Sequence, residues 1–352
     1  MFFFSGTVKF HLWAERAIQI RFPARKKKMA AQSEAAPKRR PVLSSPLQED
    51  AQQLYNLLWG YPAHTKHFIA PTPVSLERKH IGKLGNTHVV AEKNDGERCL
   101  LLIGLPENEQ EDAYIVLINR SRKLTPLVRT ANAISTQTYF HTPDQAQDID
   151  LCNGTLLDGE WMPDDSFVVF DCVAAGGYDT KPIQSFHNRM RIAKACCRVL
   201  QPFLTCRVKS FRPMDERMSI LENPSGPADG LILMPKDEIV RTGRHETMFK
   251  WKPALKCTID LLWHAGKEFC AVGNQGEPVN ASMEVDGVSL VPPVPPTPLV
   301  SGMVYEIAPT TAADGKWKIV GPRPDKVAAN HIVTIRRTLR TIRDNIQPEE
   351  IA

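Results

Sequence analysis

The chain has no run of about 20 apolar residues, the length a membrane-spanning helix needs, anywhere in its 352 residues. Cys-x-x-Cys pairs are missing as well. The eight cysteines, at 99, 152, 172, 196, 197, 206, 257 and 270, follow no recurrent spacing. That argues against a zinc site or a disulfide framework and for reduced, buried thiols, which fits cytosol or nucleus. The first 30 residues lack the uninterrupted apolar segment of a secretory signal. There is no internal repeat. Positive charge is scarce where the net value of +5 would suggest it: residues 1–40 hold ten Lys and Arg against Glu15 and Glu34, leaving 34 basic and 37 acidic residues elsewhere. The body is slightly acidic, so any polyanion site in it must come from local clusters.

What is present is a soluble, globular composition, with 42% apolar and 24% charged residues and room for two domains. Residues 1–45, rich in Ala, Ser, Pro and basic side chains, read as a basic disordered N-terminal tail. Within it Arg25-Lys-Lys-Lys28 and Pro37-Lys-Arg-Arg-Pro41 read either as nuclear-import elements or as plain solvated tail. The working start is Met1 or Met29. Apolar spacing predicts a helix over Glu49–Trp59, and alternation predicts strands over 87–92, 99–104, 114–119, 156–161 and 166–170. A helix over 185–204 follows, then strands over 231–234 and 248–252. Past Ile259 the pattern changes to short strands and glycine-rich turns, with a proline run from Val291 to Pro298. A small β-barrel with one long loop is expected there, then a helix whose apolar stripe is Ile332, Ile335, Leu339, Ile342 and Ile346.

Lys93-Asn-Asp-Gly-Glu-Arg98 lies between two strand-like runs and alone would pass for a hairpin turn. It has company downstream. Leu157-Asp-Gly-Glu160, Val169-Phe-Asp171 and Asp229-Gly-Leu-Ile-Leu233 follow it, then Phe249-Lys-Trp-Lys-Pro253 and Arg323-Pro-Asp-Lys326. In this order, from about Pro73 to Ile346, they resemble the six signature motifs of the covalent nucleotidyltransferases. That superfamily comprises mRNA capping enzymes and polynucleotide ligases.

The residue types make chemical sense together. A lysine amine is almost always protonated at neutral pH, so a nucleophilic lysine needs help. Cations around Lys93, namely Arg98, Lys250 and Lys252, would favour the free amine and neutralise the α-phosphate of a nucleoside triphosphate. Lys250 and Lys252 alternate on a strand and share a face, with Trp251 on the other. Glu160 and Asp229 suit a divalent ion or the orientation of Lys93, although either acid alone equally reads as a surface turn. Phe170 reads as a ring closing over a purine or as core. The resemblance implies further roles: Arg120 on phosphate or ribose, and Lys209 on the guanine carbonyl.

Local wording favours the capping branch. Pro73-Val-Ser-Leu-Glu-Arg-Lys79, Thr242-Gly-Arg-His-Glu246, Thr258-Ile-Asp-Leu261 and the stretch from Trp317 to Asn330 resemble capping enzymes. Three positions depart from the family pattern: Asn94 for threonine, Gly321 for a second arginine, and Ala329 for proline. The implied fold is α+β, a nucleotidyltransferase (adenylation/guanylylation) domain over 46–258 followed by an OB-fold β-barrel with a C-terminal helix over 259–352. The implied activity is that of an mRNA guanylyltransferase. With Mg2+ or Mn2+ as divalent cation, it would move GMP from GTP onto Lys93 and then onto the 5′-diphosphate end of RNA. Arg323, Asp325 and Lys326 would meet the β,γ-phosphates as the barrel closes.

The alternatives are an ATP-dependent polynucleotide ligase and a catalytically inactive nucleotide-binding capping subunit. The arginines Arg336, Arg337, Arg340 and Arg343, off the last helix's apolar stripe, are either solvated surface or an RNA contact. No Cys-x5-Arg phosphatase signature and no glycine-rich methyltransferase fingerprint is present. A separate RNA triphosphatase and a separate cap methyltransferase are therefore expected partners, with the tail of RNA polymerase II as another. The expected location is the nucleus, or the host-cell nucleus or cytoplasm if the source is viral.

Overall fold

The computed structural model describes residues 43–106, 113–130, 137–141, 146–264, 268–295, 297–310 and 316–351. The basic tail, its import-like runs and Met29 lie outside them. The chain opens with helix α1 (Ser45–Trp59), followed by β1 (Pro71–Ser75), the short α2 (Arg78–Ile81), β2 (His88–Asn94) and β3 (Glu97–Gly104). Next come β4 (Ala113–Asn119), β5 (Leu124–Thr130), β6 (Gln137–His141), β7 (Ala146–Asp150), β8 (Thr155–Trp161), β9 (Phe167–Ala175) and β10 (Tyr178–Asp179). Helix α3 (Phe186–Leu200) leads to β11 (Cys206–Val208), β12 (Arg212–Pro213), α4 (Arg217–Glu222), β13 (Ala228–Pro235) and β14 (Gly243–Trp251). The C-terminal part holds β15 (Ile259–His264), β16 (Glu268–Val272), β17 (Pro278–Asn280), β18 (Met283–Val285), β19 (Val288–Leu290), β20 (Val304–Pro309), β21 (Trp317–Pro322) and α5 (Ile332–Asp344). This is a mixed α/β fold. Among the described residues no helix is long and apolar enough to cross a membrane.

Contacts divide the chain into two units that interleave along the sequence. One comprises residues up to 70, 96–209 and 238–241; the other comprises 71–95, 210–237 and everything from 242 on. The first unit is built on a seven-stranded sheet of order β10-β9-β8-β3-β4-β5, with β11 parallel to β9. Strands β3 and β4 are continuous apolar runs because both of their faces are covered. Leu100 and Leu102 pack with Leu47, Ala51, Leu54 and Tyr55 of α1. Leu101 and Ile103 pack on the other side with Ile192, Ala193, Cys196 and Leu200 of α3. Each fully buried aliphatic side chain of this kind contributes about 1.5–3 kcal/mol relative to exposure.

The second unit contains a sheet of order β1-β14-β13-β2-β12 and an antiparallel one of order β17-β16-β15-β20-β21. Ile335, Leu339 and Ile342 of α5 pack into the core formed by the latter, against Ile259, Leu261, Phe269 and Ile307.

Several boundaries differ from the sequence reading, each for a physical reason. The expected tail to residue 45 is too long, since Leu43 is buried and α1 already starts at Ser45, four residues before the expected Glu49. Strand β9 runs on to Ala175 instead of stopping near Phe170. Asp171 resembled a strand end but is buried and held by Arg189, whose Nε and Nη2 donate to its two oxygens at 2.8 and 3.1 Å. Helix α3 stops at Leu200, short of residue 204, because Pro202 cannot continue it. Ile346 is not part of the α5 stripe. Asn345 turns left-handed at φ 37°, and Ile346 enters a different core with Val74, Leu231 and Trp251. All eight cysteines are buried free thiols.

Candidate active site

Lys93 stands at the end of β2, directly opposite Gly230 of β13. The Lys93-to-Arg98 segment is not a hairpin turn: β2 pairs with β12 and β13, whereas β3 pairs with β4 and β8. Lys93 Nζ lies 2.9 Å from Asp229 Oδ1, and Lys252 meets the other oxygen of the same carboxylate. Partial burial works to raise the Asp229 pKa, but Lys252 and Lys93 outweigh it and hold the carboxyl below its usual range. The sequence offers Asp229 either to a divalent ion or to the orientation of Lys93, and the structure sets its carboxylate between Lys93 and Lys252.

Close strand packing fixes this arrangement. A Cβ on Gly230 would come within 2.0 Å of the Trp251 carbonyl oxygen, so only glycine allows β13 to approach β14 here. Trp251 is buried and its indole N–H donates to the Ile346 carbonyl at 2.9 Å. Lys250, paired in register with Ile232, lies on the exposed side of β14, as the alternation required.

The first unit collects a second set of expected residues. Arg98 on β3 faces Glu160 on β8 in strand register. Its guanidinium grips Asp158, with Nε at 3.2 Å from Oδ1 and Nη2 at 2.6 Å from Oδ2, and lies 5.4 Å from the centre of the half-buried Phe170 ring. Arg120, just past β4, interacts electrostatically with Arg98, Asp158 and Glu160. Gly96 N donates to Glu160 Oε1 at 3.2 Å, and a Cβ on Gly96 would come within 2.7 Å of the Trp161 carbonyl oxygen. Lys209 is buried beside β9, its backbone N–H donating to Val169 at 2.7 Å. Asp158 was quoted within its motif but given no role in the sequence reading. The available signal was its i, i+2 spacing from Glu160, which puts both carboxyls on one face. Burial pushes its carboxyl up against the downward pull of Arg98.

The third set is in the C-terminal part. Arg323 donates to both Asp325 oxygens at 2.9 Å and to Asp260 Oδ1 at 3.2 Å, and approaches Glu306 Oε1 at 3.7 Å. The contact with Asp325 pushes the guanidinium pKa further up, and Arg323 holds the Asp325 carboxyl down at about 2. Lys326 is exposed, its N–H closing a turn onto Arg323. Asp260 and Glu306 were not singled out as site residues, since nothing in the sequence marks them as partners of an arginine some 17 to 63 positions away.

A divalent cation needs oxygen ligands, and Mg2+ in nucleotide sites commonly takes one or two carboxylates with phosphates supplying the rest. Among the described residues no three His, Cys, Asp or Glu side chains converge as a metal cluster. Asp229 is engaged by two lysines, whereas Glu160 fits the part of the single carboxylate.

Residues 42–254 match the family model described as mRNA capping enzyme, catalytic domain. The chain belongs to that family. A curated relative, the mRNA-capping enzyme subunit alpha of Schizosaccharomyces pombe, is 24% identical over 330 residues, covering 81% of this chain and 79% of the relative. The protein of the same name from Yarrowia lipolytica is 26% identical over 229 residues, covering 56% of this chain and 54% of its own. Among solved structures, mycobacterial DNA ligase D complexed with ATP and MES aligns with a TM-score of 0.43 at 14% identity, covering 73% of this chain and 96% of that one. The family match spans Lys93, Asp229 and Lys252 together with the Arg98 set, and ends before Arg323.

Proposed function

We propose that this capping-family chain is the mRNA guanylyltransferase, moving GMP from GTP to the 5′-diphosphate end of RNA through a lysyl-GMP intermediate at Lys93. The observation that carries the reading is the Lys93–Asp229–Lys252 group, a candidate nucleophile oriented by a carboxylate with a second cation beside it. In the first step Lys93 Nζ, as the free amine, gives its lone pair to the α-phosphorus as the bond to the bridging oxygen of pyrophosphate breaks, and one amine proton passes to solvent. Asp229 holds the amine in line, and Lys252 and Lys250 balance charge on the phosphates. In the second step a terminal phosphate oxygen of the RNA displaces Lys93, the nitrogen–phosphorus bond breaks, and the amine regains a proton. A divalent cation, Mg2+ or Mn2+, would be held by Glu160 and phosphate oxygens and would supply charge neutralisation at the leaving group.

Phe170 is proposed to receive the purine and Arg98 to help neutralise the triphosphate, with Arg120 on phosphate or ribose and Lys209 on the guanine carbonyl. Arg323, Asp325 and Lys326 are proposed as the grip on the β,γ-phosphates. Nucleotide would then have to compete for Arg323 with Asp325, Asp260 and Glu306. The antiparallel sheet, the separate β18–β19 hairpin and α5 are proposed to form an OB-fold barrel over 259–352, after a nucleotidyltransferase domain over 46–258. The name subunit alpha carried by its relatives supports a capping-complex partner. A separate RNA triphosphatase to supply the diphosphate end and a separate cap methyltransferase are proposed as further partners, and the nucleus is the proposed location.

The test is product formation. Diphosphate-ended RNA incubated with protein, a divalent cation and GTP labelled at the α-phosphate should yield RNA with a labelled, phosphatase-resistant 5′ end. Joining of RNA or DNA strands with ATP, and no capped product, would overturn the reading in favour of a ligase.

A further inference from the structure

Helix α5 has one apolar face, and Ile335, Leu339 and Ile342 on it are buried. The opposite face carries Arg336, Arg337, Arg340 and Arg343, all exposed, with Val333 on the same side. Packing explains the first face and not the second. Like charges three and four positions apart repel along a helix, and this face contains Arg336–Arg340, Arg337–Arg340 and Arg340–Arg343 at those spacings. The nearby acids compensate only its C-terminal end: Asp286 lies 3.4 Å from Arg340 and 2.7 Å from Arg343, and Asp344 lies 2.6 Å from Arg343. Arg336 and Arg337 make no ion pair among the described residues.

Every basic residue on this face is arginine, whose planar guanidinium meets phosphate oxygens two at a time. The surrounding body is slightly acidic, so the face stands out as a local concentration of positive charge. Residues 336 to 343 span about 10 Å along the axis, the reach of a few backbone phosphates. The start of the helix is tied down as well. Asn330, just before it, donates to the Asp260 carbonyl at 2.7 Å and accepts from the Asp260 N–H at 2.9 Å.

We propose that the arginine face of α5 is a docking surface for the sugar–phosphate backbone of the acceptor RNA, downstream of the end that receives GMP. The proposal rests on the guanylyltransferase reading for the identity of its ligand. It assigns the face to backbone phosphates, so binding is insensitive to sequence and falls with salt.

The test is the triple variant Arg336→Ala, Arg337→Ala, Arg340→Ala, with the corresponding triple lysine variant alongside. Lysyl-GMP formation from GTP without RNA should be unchanged, which also reports an intact fold. The KM for a diphosphate-ended RNA long enough to lie along the helix should rise roughly tenfold at low salt, while its log–log salt dependence becomes shallower by about 2. An acceptor of only a few nucleotides should be unaffected, and the lysine variant should recover most of the binding. Equal effects on long and short acceptors, or none on either, would overturn the proposal. So would poly-glutamate binding that is as tight as RNA and lost in the same variant, since the face would then serve an acidic protein. If no lysyl-GMP formed even in the unaltered protein, the catalytic reading would fail. RNA binding by anisotropy would still decide the role of the helix.

Discussion

Asp229 carries two lysines on one carboxylate, and both contacts would be lost with the side chain. Asp229→Ala should slow lysyl-nucleotide formation about 100-fold, the effect of misplacing a reacting group by an ångström or so. GTP affinity measured with Lys93→Ala as reference should change far less. The same ion pairs have an acid limb. Because the folded-state carboxyl of Asp229 lies below its usual value, its contribution to stability is present above about pH 4 and disappears as pH falls further. Denaturant midpoints of Asp229→Asn and the unaltered protein should therefore converge below that pH. Asp158 makes a different case: its side chain is 2% exposed and that of Arg98 11% exposed. Asp158→Asn leaves a nearly buried guanidinium without its counter-ion and should cost about 3–5 kcal/mol in unfolding free energy. Candidates for the chemistry could be named from the sequence because attack on a phosphate restricts which side chains can serve. Asp158 was not assigned, since its contact with Arg98 forms only when β3 and β8 pair.

At the level of elements, the approach of β13 to β14 sets the positions of Asp229 and Lys252. Gly230→Ala should force those strands apart, destabilise the protein by roughly 1–3 kcal/mol and lower adduct formation along with it, as read by thermal melting and labelling together. Helices were readable from the 3.6-residue period, whereas β3 and β4 show no alternation and were readable only as short apolar runs bounded by turns, since both of their faces are covered. The ends were harder. Asp171 hid the second half of β9 because its partner Arg189 is 18 residues away on another element. Ile346 continued the spacing of α5 by coincidence, and only the left-handed Asn345 shows that the chain has already turned.

The whole molecule is organised in a way that spacing does not reveal. The chain leaves the first unit at residue 71, returns at 96, departs again at 210 and comes back for 238–241. A reading along the sequence divides the chain where composition changes, after the basic tail and near residue 259, whereas contacts alternate. Lys93 and Arg98, five positions apart, belong to different units. What unites the molecule functionally is a covalent bond that Lys93 alone is proposed to form. The most direct measurement is to incubate the protein with a divalent cation and GTP or ATP, digest it, and map any nucleotide adduct by mass spectrometry. The expected result is GMP on the peptide containing Lys93, no adduct from ATP, and none in Lys93→Ala. AMP on that lysine, GMP on another residue, or no adduct from either nucleotide would contradict it.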